Sequence, residues 1–101
     1  MEIVKSIKNI QIRLTEERWF HITEEHSEMA GYYFDVLETV EEPELIYEGN
    51  AGECIALREI ENGKYLVVIY RELNKKDGFV ITAFLTRRKK QLEKRKIIWK
   101  K

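Results

Sequence analysis

A single cysteine, Cys54, among 101 residues leaves no disulfide framework and no cysteine-based zinc cluster to expect. No apolar run approaches the ~20 residues a membrane helix requires. The N-terminus carries no signal-peptide pattern, so the sequence predicts a cytoplasmic protein with no membrane contact. The two histidines, His21 and His26, are not spaced i, i+4, and no metal site is expected from them. Gly-rich phosphate loops are absent, and no Ser/His/Asp order is readable from spacing. Neither a metal nor a small-molecule cofactor is therefore expected.

What remains is globular. Hydrophobic residues make up 44% and aromatic residues 11%, enough for one core, and the sequence predicts one domain over 1–101. Eighteen bases balance eighteen acids, but not locally. Residues 1–62 hold fifteen acids and five bases, whereas residues 87–101 hold one acid and nine bases. A molecule divided in this way can present an anion-binding surface while neutral as a whole. The other reading is that the two regions fold together and neutralise each other.

The pattern predicts an α+β fold, with an N-terminal strand and two helices packed on one face of an antiparallel four- to five-stranded meander sheet. Residues 3–14 read as the N-terminal strand. Thr15 stands as a helix N-cap with Glu16 and Glu17 in the first turn, opening a helix to about residue 29. Gly31 breaks it, and a second helix over 32–41 ends before Pro43. Strands follow over 44–47, 53–60, 64–72 and 79–87, the middle pair joined by Asn62-Gly63, a strong two-residue hairpin signal. The basic segment 87–101 is helical or extended, anchored by Ile97, Ile98 and Trp99.

A two-residue loop at Asn62-Gly63 pairs Glu61 with Lys64, then Arg58 with Val67 and Cys54 with Arg71. That register puts Cys54, Ala56, Arg58, Val67, Ile69 and Arg71 on one face. Ile55, Leu57, Leu66, Val68 and Tyr70 take the other, which is the more apolar and is expected to carry the helices. Arg58 and Arg71 would then bracket a polynucleotide backbone on the open face.

Residues 77–87, DGFVITAFLTR, form an apolar strand that delivers Thr82, Thr86 and Arg87 beside the basic run beginning at Arg88. Hydroxyl and guanidinium groups so placed suit phosphate. Thr82, alternating with Val80 and Phe84, reads first as a core threonine bonded to backbone, and Cys54 as a small hydrophobe. Trp99 could stack on a base or pack. On a straight helix His21 and His26 lie about 140° apart and cannot share one small site. His26 is expected to be buried. His21, near Glu25 and Glu28, is either an acid–base group or a surface residue.

IRLTEERWFHITEEHSEM, VEEPELIYEGNAGE, KYLVVIY and DGFVITAFLTR together resemble phage-associated members of the barnase–EndoU–colicin–RelE-like (BECR) nuclease superfamily. The likeness covers about residues 10–88. Ser27 departs from it, since proline is expected after the second histidine. The resemblance implies a metal-independent endoribonuclease, often a toxin or phage effector, with helices on one face of an antiparallel sheet. It implies Arg13, Trp19, His21, His26, Lys64, Thr82, Thr86 and Arg87 as site residues.

Together these readings make His21, His26, Thr82 and Arg87 the catalytic candidates. Arg13, Arg58, Lys64, Arg71, Thr86 and Arg88 are the phosphate- and RNA-binding candidates. RNA, as tRNA or mRNA, is the expected substrate, and an antitoxin protein the expected partner. The alternatives are an inactive module of the same fold that docks a protein, the ribosome or nucleic acid, and a housekeeping domain that binds nucleic acid without cutting it.

Overall fold

A turn near the N-terminus enlarges the sheet. In the computed structural model, which describes all 101 residues, the segment 3–14 is two strands rather than one. β1 (Glu2–Lys5) and β2 (Gln11–Leu14) pair antiparallel. The Ser6 hydroxyl accepts the N–H groups of Lys8 and Ile10, each at 3.3 Å. Asn9 turns the chain at φ 65°, in the left-handed region that asparagine tolerates better than most residues.

α1 (Glu16–Glu25) begins as the sequence predicts, with the Thr15 hydroxyl accepting the Arg18 N–H at 3.1 Å. It ends four residues earlier than expected. His26 leaves the helical path at φ −132°, ψ 77°, and a 3-10 turn, Ser27–Met29, follows. Ser27 is the first residue of that turn. Gly31 adopts φ 93°, which glycine takes at no steric cost. α2 (Tyr33–Glu41) then runs to Glu42, next to Pro43.

The remaining strands are β3 (Leu45–Glu48), β4 (Cys54–Glu61), β5 (Lys64–Glu72), β6 (Asp77–Thr86) and β7 (Ile97–Lys100). The class is α+β, but the sheet has seven strands in the order β1-β2-β6-β5-β4-β3-β7. It is mixed, because β2 runs parallel to β6. The expected four- to five-stranded antiparallel sheet gains the N-terminal hairpin at one edge and β7, paired with β3, at the other.

The β4–β5 hairpin corrects the expected register. Glu61 pairs with Lys64, but a bulge then shifts the ladder, so that Arg58 pairs with Leu66 and Cys54 with Tyr70. One extra residue, Ile60, moves every earlier side chain of β4 to the opposite face. Leu66, Val68 and Tyr70 join the helices as predicted, now with Cys54 and Ala56, in a core that includes Ile22, Val36 and Val40. Ile55 and Leu57 instead join Tyr47 and Val67 on the second face, where Leu92 of the basic segment packs over them. Arg58 therefore points to the helices and Arg71 away from them. No helix is long and apolar enough to cross a membrane.

Candidate active site

The pairing of β2 with β6 stops at Arg13–Phe79. Beyond it the outer edge of β6 borders α1 and the 3-10 turn, and a cleft of about 460 Å³ opens there. A second bulge shapes its floor. Ile69 pairs with Thr82 and Tyr70 with Val80, so Ile81 is extra, and both Ile81 and Thr82 line the cleft. Thr82 is half-buried and faces the cleft, rather than being a fully buried core threonine.

Both histidines line this cleft. His21 is exposed, whereas the His26 side chain is 34% exposed rather than buried as expected. The argument from helical phase fails because α1 ends before His26, and a step of about 100° per residue applies only within a helix. His26 packs on Phe84 with ring centroids 5.8 Å apart, and its Nδ1 lies 3.8 Å from Glu28 Oε2.

Arg18, which the sequence reading missed, and Glu25, which it placed near His21, also line the cleft. Arg18 and Glu25 flank His21 from the preceding and following turns, and Arg18 is exposed with no carboxylate paired to it. Arg18, His21 and Glu25 follow at i, i+3 and i+7, a spacing that places them on one helix face and would have revealed Arg18.

The other site candidates lie elsewhere. Arg87 and Arg88 are exposed beyond the end of β6, outside the cleft, where with Tyr65, Lys89 and Lys90 they line a separate depression of about 640 Å³. The Thr86 hydroxyl accepts the Arg88 N–H at 3.0 Å, holding the chain where it leaves the strand. Lys64 Nζ sits 5.9 Å above the Tyr32 ring and 3.9 Å from Glu61. Trp19 meets Tyr33 edge-on at 5.2 Å and packs against the main core.

Three arginines are engaged within the fold. Arg13 Nη2 lies 2.9 Å from Asp77 Oδ2, clamping β2 to β6. Arg58 Nη2 lies 2.8 Å from Glu38 on α2. Arg71 donates to the Ala51 carbonyl at 3.1 Å. Arg58 and Arg71 consequently cannot bracket one ligand on one face.

None of the molecule's ion pairs involves a base of the segment 87–101. The acidic half thus forms no ion pair with this segment, although Arg95 donates to Asn50 Oδ1 at 2.9 Å. Away from the cleft, burial raises the pKa of the Cys54 thiol, and the neighbouring Glu72 carboxylate adds to the shift. The Tyr70 hydroxyl is raised by burial, then by Cys54 and Glu72. No three His, Cys, Asp or Glu side chains gather as a metal-binding group. Compared with protein-family models, curated proteins and solved structures, the chain matches none.

Proposed function

We propose that this protein is an endoribonuclease, with the cleft between α1 and β6 as its active site. The observation that carries this reading is the meeting in one cleft of two imidazoles, a guanidinium free of carboxylate partners and a hydroxyl, from His21, His26, Arg18 and Thr82. One imidazole takes the proton of an RNA 2′-hydroxyl, whose oxygen attacks the adjacent phosphorus. The bond from phosphorus to the 5′-oxygen breaks, and the other imidazole protonates that leaving oxygen. Arg18 offsets the charge that builds on the equatorial phosphate oxygens, and Thr82 donates a hydrogen bond to one of them. The products are a 2′,3′-cyclic phosphate and a free 5′-hydroxyl.

The resemblance to BECR nucleases supports the same chemistry and suggests a toxin or phage effector held in check by an antitoxin protein. Arg87 takes a phosphate-binding role here rather than a catalytic one, because it lies outside the cleft.

The test is cleavage of an end-labelled RNA, with the product ends identified. The expected result is a cyclic phosphate end and a loss of about 10²-fold or more in rate for His21→Ala and for His26→Ala. Regulated expression in a bacterial host should arrest growth, and His21→Ala should relieve the arrest. Purified wild-type protein that binds RNA without cutting it would leave the inactive docking module as the correct reading.

A further inference from the structure

We propose that the second face of the sheet carries a track for single-stranded RNA, so that the protein holds several nucleotides beyond the bond it cuts. The proposal rests on the endoribonuclease reading and deepens it by naming the form of the substrate. The depression beside Tyr65 and Arg88 adjoins another of about 490 Å³ beside Tyr47, Lys100 and Lys101, with Lys89 and Glu93 lining both, and the two together form a basic trough. Phe84 ties this trough to the cleft, because it lines the cleft and also packs against the Tyr47–Val67 cluster beneath the trough.

The trough spans the sheet from β6 to β7, four strand spacings, or ~19 Å at ~4.8 Å each. Its lysines and arginines form no ion pairs within the protein, and two acids, Glu44 and Glu93, line it against six bases. Tyr65 supplies an aromatic ring with Lys89 Nζ 5.6 Å from its centroid. Cations that track a backbone beside a ring on which a base can stack form a single-strand site. A duplex keeps its bases turned inward and offers that ring nothing.

The experiment measures binding of labelled 2′-deoxy oligonucleotides, which lack the attacking hydroxyl and cannot be cut. Lengths run from ~2 to ~12 nucleotides, within and beyond the reach of one small single-strand site. Affinity should climb with length and then level off, and a duplex of the same length should bind more weakly. Lys90 and Lys100 are both exposed, so their substitution does not threaten the core. Lys90→Gln with Lys100→Gln should flatten the climb and reduce the log–log salt slope by ~1.4, at ~0.7 for each phosphate no longer neutralised. The corresponding Lys→Arg pair should restore both.

Affinity that is independent of length would overturn the track, as would equal binding of the duplex or an unchanged slope in the glutamine variant. These outcomes are separate from the cleavage assay. Length-dependent binding by a protein that cuts no RNA overturns the active-site reading and leaves the track standing. Cleavage with length-independent binding does the reverse.

Discussion

The rings of His26 and Phe84 stand 5.8 Å apart, tilted by 35°, where the end of α1 meets the outer edge of β6. Both residues line the cleft, and Phe84 also packs against the cluster on the second face of the sheet. One side chain thus supports both the proposed acid–base pair and the floor of the basic trough.

Phe84→Ala should destabilise the protein by about 1–2 kcal/mol, below the 3–5 kcal/mol of a fully buried phenylalanine because Phe84 is only half-buried. Phe84→Leu keeps apolar bulk on the second face but removes the ring from His26. Its denaturation midpoint should stay near that of the wild type while RNA cleavage falls. A leucine variant with wild-type cleavage would show that the ring contact does not position His26.

The corrected β4 register leads to a second expectation. Arg58 faces α2, where Glu38 holds it at 2.8 Å, so Arg58→Met should leave the salt dependence of RNA binding unchanged. The ion pair is partly exposed, and a double-mutant cycle with Glu38→Gln should give a coupling of about 0.5 kcal/mol. A shallower salt slope in Arg58→Met would place this arginine on the RNA after all.

That register also shows what the sequence could disclose. Asn62-Gly63 is a local signal, and it correctly predicts the hairpin and the Glu61–Lys64 pair. The bulge at Ile60 is not local. Ile60 packs toward the main core, and the Glu59 carboxylate accepts the Gly63 N–H at 2.9 Å, choices made by packing and loop geometry. The Thr15 cap and the start of α1 were legible for the same reason as the hairpin, since cap and helix are neighbours in the chain.

Long-range pairing was less legible. The parallel contact of β2 with β6 joins distant segments, and nothing in QIRL specifies its partner. The anchoring role of Ile97, Ile98 and Trp99 was legible, but whether IIWK is strand or helix was not, because it is embedded in lysines that obscure any apolar period. Ser6 and Asn9 form the N-terminal turn, and reading residues 3–14 as one strand passed over both. In the site, each histidine was visible as a residue. Their shared cleft was not, because it depends on where α1 ends.

The basic segment is part of the fold as well as a charged surface. Trp99 pairs with Ile46 in the sheet and packs against the main core, and Leu92 covers the second cluster. A chain ending at Arg87 should therefore lose β7 and unfold cooperatively at a markedly lower temperature, with the far-UV spectrum losing strand signal. If the shortened chain melts like the full one, Trp99 and Leu92 contribute little, and the segment is a detachable tail.

The last expectation concerns alkaline stability and the polar group beneath the β4–β5 ladder. Cys54 Sγ lies 3.8 Å from Glu72 Oε1, Lys8 Nζ lies 3.6 Å from the same oxygen, and the Ser6 hydroxyl donates to Oε2 at 3.0 Å. Burial first, then the Glu72 charge, keeps the thiol protonated in the folded chain above its ordinary pKa. The unfolded chain has no such restraint and ionises its thiol from about pH 8.5. Stability is thus full below that pH and is lost as pH rises toward the folded pKa. Tyr70, whose pKa burial also raises, extends the loss above about pH 10. Cys54→Ala should start from a lower urea midpoint at pH 7, because it leaves a cavity, yet fall less steeply between about pH 8 and 10. Tyr70→Phe should flatten the curve only above that window. Parallel curves for the wild type and Cys54→Ala would mean that the thiol ionises equally in both states, and that Glu72 exerts no net effect upon it.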